Sequence, residues 1–331
     1  IDSTLVLSLL KKTHPNLHIH GYSIKFSNSV DETIQAGKIA EHFGIEHSII
    51  ELENYLEELP KIISITKLPF WDLHWYYVAK IAKKSSEFLA SGDGGDELFG
   101  GYTFRYQKYL SLVNSNSNIN EKIKSYLKCH ERDRVPDQEK LFGKKSPFSW
   151  NKINEKLVNY FDNSLDPIDQ VFLADYNGKL LYNFSIVNGS INKEFNLHSI
   201  TPLLSQEIIQ IAPHIPNSLK YDSKSNLGKL PLRKILDQLN ISHLVSDQKL
   251  GFSVNTINLW KNYGQKICKF YLSNSRIVKE GWINDDWINT YIDKKNLDVK
   301  YVNKFLGILA LEIWYRIFIS KEISPDEKLS V

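Results

Sequence analysis

The segment SGDGGDELFGGY at positions 91–102 constrains this chain more than any other. Five of its twelve residues are glycine, at 92, 94, 95, 100 and 101. Such a density of residues without side chains lets a backbone approach a ligand or a second backbone closely. The preceding run at 87–90 reads as a short strand, and a helical pattern follows. A strand–turn–helix junction puts the turn at the carboxyl edge of a sheet, where open α/β sheets collect ligands. The N–H groups of such a turn and of the next helix start favour phosphate. Yet Asp93, Asp96 and Glu97 place three carboxylates within five residues, which would repel bare phosphate. A Mg²⁺ between them resolves the conflict, because it takes one or two carboxylates together with phosphate oxygens. A carboxylate here could also orient or deprotonate an amine. The plainer alternative is a solvated turn whose acids complement a helix start.

The rest of the chain supplies the frame. Residues 3–12 are helix-compatible, 17–26 alternate as a strand, 30–43 return to helical period with Gly44 as a stop, and 46–52 read as a strand. Residues 54–66 and 72–84 read as helices. This alternation predicts an α/β fold, a parallel sheet with helices on both faces. Residues 113–147 are polar and broken by Pro136 and Gly143, and read as a connection or surface insertion. Beyond them the pattern is mostly helical, near 152–162, 167–185, 205–213, 229–239, 256–273 and 302–319. The expected organisation is a nucleotide-binding half over 1–112, the connection, and a helical half over 148–331.

Composition excludes several classes. The 41 basic and 38 acidic residues leave a net charge of +3, which argues against a nucleic-acid or anionic-membrane partner. No run reaches the roughly 18 apolar residues of a membrane span; residues 306–319 carry Glu312 and Arg316 and read as a core helix. Two widely spaced cysteines, Cys129 and Cys268, fit neither a disulfide framework nor a metal site, and point to a cytoplasmic setting. The chain holds no Met and opens on Ile-Asp-Ser-Thr, which reads as a fragment or processed start.

SGDGGDELFGGY resembles the signature of the asparagine synthetase synthase domain, in the ATP-pyrophosphatase superfamily, and the resemblance runs along essentially the whole chain. Residues 1–4 look like the end of that family's pyrophosphate loop with its first residues missing. The resemblance implies ATP and Mg²⁺ as cofactors. It implies Asp2 and Asp96 as Mg²⁺ ligands, Ser3 beside the pyrophosphate, and the backbone near Ile24 against adenine. Ser91, Gly92, Gly94 and Gly95 would bind the nucleotide, and Asp93 would assist the nucleophile. GKLPLR at 228–233 resembles a family helix start, making Lys229 a second phosphate contact and Arg233 structural. SDQKLGF at 246–252 resembles the late Lys-x-Gly-Phe loop, making Lys249 the residue that stabilises a leaving pyrophosphate or oxyanion.

The implied reaction is ATP-dependent amide formation through an acyl-adenylate, by default aspartate to asparagine. The implied partners are a small carboxylic acid, an amine or ammonia, and a glutaminase domain or subunit, which this chain lacks. A homodimer is among the candidate assemblies. Departures from the family pattern keep two rivals open. His198, Ile200 and Ser205 stand where Glu, Arg and Asp are usual, and NGSINK at 188–193 replaces an Asp-Arg-Ala-Ser-Met run. Losing an Arg removes a fork of donors and invites a redesigned acceptor pocket. Trp75, Tyr76 and Tyr77 follow the Pro-x-x-Asp match ending at Asp72, and could pave a larger acceptor site or simply fill the core. A ligase or macrolactam cyclase for another acid, and a non-catalytic nucleotide-binding homologue, are the alternatives.

Overall fold

The computed structural model describes residues 1–26, 31–72, 74–114, 116–178, 180, 185–246, 255–294 and 296–330. Its first half alternates as the patterning requires. Helix α1 (Asp2–Thr13) leads to strand β1 (His20–Phe26), α2 (Thr33–Phe43), β2 (Glu46–Leu52), α3 (Leu59–Thr66), α4 (His74–Ala82) and β3 (Phe88–Ala90). Gly44 closes α2 in the left-handed conformation at φ 57°, where an L side chain would be strained. Helix α3 starts five residues later than its apolar period suggests. Asn54 accepts from the Leu56 N–H at 3.0 Å and donates to the Leu329 carbonyl at 2.7 Å, which diverts the backbone into a turn. Pro60 then sits in the first turn of α3, where its missing N–H costs nothing.

The sheet differs from the single layer expected. β1 pairs with β2 in parallel over seven residues, and β3 pairs in parallel with β4 (His198–Ile200) over three. Among the described residues no strand hydrogen-bonds to both pairs, so the two remain separate ladders. β4 escapes pattern reading because three residues are too short to show alternation.

After the glycine-rich turn come α5 (Gly95–Phe99), α6 (Thr103–Leu112) and α7 (Ile119–Lys128). Helix α7 lies inside the expected connection and buries Ile123 and Tyr126. Its start is fixed locally, by a signal that the reading of this stretch as a connection passes over: Asn118 and Glu121 form a reciprocal capping box with N···O distances of 3.0 and 2.9 Å. Of the helical stretch expected over 167–185, Pro167–Asp175 is α-helical and 176–178 continue it with π-helical bonding; a further helix runs Ser185–Glu194. Asn188 and Gly189 lower the intrinsic helix preference of the second, and burial of Val187, Ile191 and Asn192 along one face compensates.

The largest core joins both ends of the chain. The helix Val299–Phe318 buries Val302, Phe305, Leu306, Leu309, Ala310 and Ile313, at helical spacing, on the side that meets α3, and Leu59, Ile62 and Ile63 of α3 belong to the same core, as do Tyr76 and Tyr77 of α4. Tyr76 donates to Glu58 at 2.6 Å and Tyr77 to the Tyr55 carbonyl at 3.0 Å, so both hydroxyls are satisfied inside the core. These tyrosines therefore fill the core and do not pave an open pocket. Glu312, fully buried on the same long helix, accepts from Ser275 Oγ (2.7 Å), the Arg276 and Ile277 N–H groups (2.9 and 3.1 Å) and Arg316 Nε (2.6 Å). Its carboxylate caps the short helix Arg276–Lys279 from outside. Glu312→Ala removes the acceptor of Ser275 Oγ, Arg316 Nε and two amides, although Arg316 keeps the Tyr271 and Asn274 carbonyls, and should lower stability by about 3 kcal/mol, read as a reduced urea midpoint with an unchanged slope.

Candidate active site

Three separated stretches meet at the carboxyl end of β3. Ser91 leaves β3 with its N–H on the Ile200 carbonyl of β4 at 3.0 Å. The turn then passes directly over the first turn of α1. A methyl group on Gly92 would lie 2.6 Å from Asp2 Cβ and 2.7 Å from the Ser3 nitrogen, and one on Gly95 would fall on the Asp2 carboxylate. Gly94 turns the chain at φ 90°, where a methyl would sit 2.9 Å from Leu204 Cγ. Gly101 has the Asp96 carboxylate and Lys229 Cε where its side chain would be. The glycines thus serve close approach of protein to protein, which seats Asp2 beside Asp96.

Lys229 completes this cluster. It stands at the start of the helix Leu230–Gln238 with φ 59°, its N–H bonded to the Phe99 carbonyl at 2.9 Å, and Arg233 fixes that corner from the Gly228 carbonyl at 3.0 Å. The Lys229 ammonium bonds the Asp2 carboxylate and lies 2.8 Å from Asp96 Oδ1. Burial alone would lower its pKa; the two carboxylates outweigh that and hold it above the ordinary lysine value. The expected phosphate contact is therefore engaged with the acids of the site.

The three carboxylates of the turn occupy three different settings. Asp96 joins Asp2 and Lys229. Glu97 is buried and accepts from the Tyr102 hydroxyl at 2.5 Å, with the Arg105 guanidinium 4.4 Å above the Tyr102 ring, so it braces α5 against α6. Asp93 points the other way and accepts from Asn188 Nδ2 at 3.1 Å. At the start of α4, His74 Nδ1 lies 2.7 Å from Asp72 Oδ1, which also accepts from the Tyr55 hydroxyl at 2.8 Å. Burial works against both charges of this pair, but their attraction prevails: Asp72 is held below and His74 above its ordinary pKa, Asp93 adding to the latter. Neither His74 nor Asn188 was singled out from the residues alone. Their places are set by tertiary packing, the helix Ser185–Glu194 reaching Asp93 through Asn188 and α4 bonding to that helix through Trp75.

The donor set suits a hard cation. Asp2 Oδ1 and Ser91 Oγ are buried and make no hydrogen bond among the described residues. Two adjacent carboxylates with a spare buried oxygen, above a main-chain floor that admits no side chain, match what Mg²⁺ takes from protein when phosphate supplies other ligands. No group of three or more metal-binding side chains occurs among the described residues, and Mg²⁺ at a phosphate site does not need one. Ser3 follows Asp2 at the exposed rim. Ile24 pairs with Ile50 in mid-strand and buries its side chain in the core, leaving it only main-chain atoms to offer a ligand. Lys249 lies outside the described residues.

An α/β protein with a glycine-floored, acid-and-lysine cluster at the carboxyl ends of its parallel strands is what the geometry defines. The chain belongs to the asparagine synthase family, whose profile matches residues 1–316. It is 27% identical to asparagine synthetase [glutamine-hydrolyzing] 1 of Bacillus subtilis (strain 168), across 99% of this chain and 56% of that protein. A putative asparagine synthetase [glutamine-hydrolyzing] of Mycobacterium bovis is 21% identical, over 98% of this chain and 54% of the relative. The chain thus spans little more than half the length of these relatives.

Two outcomes follow. Lys229→Met leaves Asp2 and Asp96 facing each other and should cost about 2 kcal/mol without divalent cation, less than a fully buried stranded charge because both acids keep some access to water; added Mg²⁺ should recover part of it in a thermal melt. The Asp72–His74 pair has its own pH window. A depressed acid stabilises the fold above its unfolded pKa, near 3.8, and a raised histidine does so fully only below its own, near 6.5. The pair's contribution should therefore be greatest between those values and decline as pH rises through the His74 midpoint. Asp72→Asn should remove that decline from a stability–pH profile.

Proposed function

We propose that this chain carries the ATP-dependent, amide-forming chemistry of its family: a carboxylic acid is activated as its acyl-adenylate and captured by ammonia or an amine. The observation that supports this most is the Asp2–Lys229–Asp96 cluster seated by Gly92 and Gly95. Asp2 and Asp96 would hold Mg²⁺, which when bound neutralises phosphate charge. Ser91 Oγ, Ser3 and the main chain of residues 91–95 would line the phosphates, and main-chain atoms near Ile24 would meet adenine. Lys229 would exchange its carboxylates for pyrophosphate oxygens, and Lys249 would meet the charge developing on the leaving pyrophosphate.

In the first step the acid's carboxylate attacks the α-phosphorus, and pyrophosphate leaves with the electrons of the broken P–O bond. In the second the nitrogen forms a bond to the acyl carbon, AMP departs with the C–O electron pair, and the proton lost from nitrogen passes to Asp93. Separation of Asp93 from the Asp2–Asp96 pair suits this division of labour, one carboxylate for the nucleophile and two for the metal. Aspartate is the default acid, and because the relatives are glutamine-hydrolysing by name, a glutaminase domain or subunit is the natural source of ammonia.

A different acid is the second reading, and the end of β4 favours it. Ile200, beside Ser91, offers no charge, and Ser205 spends its hydroxyl on the Ile208 N–H at 3.4 Å, capping the helix Gln206–Ile211. The deciding assay follows AMP and pyrophosphate from ATP, Mg²⁺, ammonia and a panel of acids. Asp96→Asn should reduce pyrophosphate release at least about 100-fold, whereas Asp93→Ala should leave acid-dependent ATP–pyrophosphate exchange within a few fold and cut amide formation about 100-fold. Absence of acid-dependent pyrophosphate release from the wild-type full-length protein across the panel would count against both readings.

A further inference from the structure

Outside the Asp2–Lys229–Asp96 cluster, Asp93 and Asn188 bring two acceptor groups together. Asp93 sits in a turn closed by the Gly95 N–H on the Gly92 carbonyl at 3.3 Å, and Leu204 packs where a Gly94 side chain would be. That fixes its main chain, and a second element fixes its carboxylate. Asn188, on the helix Ser185–Glu194, donates Nδ2 to Asp93 Oδ2 at 3.1 Å. The helix is itself anchored. Val187 and Ile191 are buried in the main core, and Asn192, one turn beyond Asn188, accepts from Trp75 Nε1 at 2.9 Å. An amide that faces a carboxylate presents its nitrogen, because a carboxylate only accepts. Asn188 Oδ1 therefore lies in the same amide plane, one bond angle from that donor. Among the described residues it accepts no hydrogen bond, and Asp93 accepts none beyond that from Asn188. Both residues are half-buried and neither Asn188 Oδ1 nor Asp93 Oδ1 is sealed from solvent, so both oxygens are open to a ligand that donates.

We propose that the Asn188 amide oxygen and the Asp93 carboxylate form the subsite of the nitrogen nucleophile, a pair of acceptors that takes ammonia or a primary amine through two N–H groups and discriminates against a secondary amine. The proposal rests on the amide-forming reading for its chemistry. Ammonia held by one N–H still rotates about that bond, and its lone pair sweeps a cone. A second N–H···O bond stops the rotation and turns the lone pair out of the subsite, toward the acyl carbon. When nitrogen bonds to that carbon and AMP departs, the proton lost is the one already shared with Asp93. The other N–H stays on Asn188, which as an amide takes no proton. Ammonia and primary amines have two N–H groups to give. A secondary amine has one, so it leaves one of the two oxygens without its bond, and a site built to hydrogen-bond its substrate rejects such an analogue. Asp93 thus reacts, while Asn188 orients and selects.

Asn188→Leu keeps the bulk of the side chain and removes its acceptor. In the full-length protein with ATP, Mg²⁺ and the acid that supports exchange, this variant should keep ATP–pyrophosphate exchange within about twofold of wild type and lower kcat/KM for ammonia about tenfold or more. With methylamine and dimethylamine competing at equal free-base concentration, the ratio of methylamide to dimethylamide should be at least about tenfold higher for wild type than for Asn188→Leu. An unchanged ratio, or equal loss of exchange and capture, overturns the proposal, and Asn188→Ser repeats the test should Asn188→Leu misfold. A binding measurement stands apart from turnover. In ¹⁵N-labelled wild type the Asn188 side-chain amide signal, assigned by its loss in Asn188→Leu, should shift saturably with ammonium chloride against sodium chloride at equal ionic strength, and the shift should vanish in Asp93→Ala. Absence of a saturable shift overturns the subsite. If wild type shows no acid-dependent exchange, the amide-forming reading fails, and the ammonium titration alone decides whether Asn188 and Asp93 bind nitrogen.

Discussion

The contact on which the site depends is between two stretches of main chain that no side chain separates. The glycine-rich turn after β3 rests on the first turn of α1, and Gly92 and Gly95 are the positions where any side chain would enter Asp2. That approach puts Asp2 next to Asp96, an arrangement of like charges that needs a cation. Lys229 supplies one, and its own position follows from a left-handed backbone at the start of its helix and the bond from its N–H to Phe99. Each part is intelligible only with the others present. Without the glycines the acids separate, and without the lysine their proximity opposes folding.

The same turn shows how neighbouring residues of one chemical type can be given different work. Asp93, Asp96 and Glu97 read identically as carboxylates, yet the helical start at Gly95 rotates them apart. Glu97 goes to Tyr102 and becomes part of the frame. Asp96 goes to the cation, and Asp93 goes to Asn188. A cluster of acids in a sequence therefore overstates the charge that any one ligand meets.

Much of this was legible in the residues. Elements with a strong period and a clear stop, such as α2 with Gly44 or β2, fall where the pattern puts them. The capping box of Asn118 and Glu121 marks a helix inside a stretch whose polarity suggests only a connection. What could not be read is what tertiary packing decides. β4 is three residues long and exists because β3 lies beside it. The helix Ser185–Glu194 forms around Asn188 and Gly189 because its buried face outweighs a weak local preference. Trp75, Tyr76 and Tyr77 look like one aromatic surface in sequence, but helical geometry sends the tyrosines into the core and the indole N–H to Asn192. The Asp2–Asp96 pairing came from family resemblance, and no spacing rule links residues so far apart in the chain.

The long helix Val299–Phe318 and the tail beyond it have a consequence for how the protein is made. Leu329 donates its N–H to the Glu57 carbonyl at 2.9 Å and accepts from Asn54, and the helix before it packs against α3. On a ribosome the α/β segment emerges long before these residues do. Its apolar face must wait, uncovered, for almost the whole chain to be translated. Contacts of such sequence separation slow folding and prolong exposure of sticky surface. The newborn chain thus has an interval in which chaperones are its natural company, and a ribosome stalled before Val299 would release a product without the helix that covers this core.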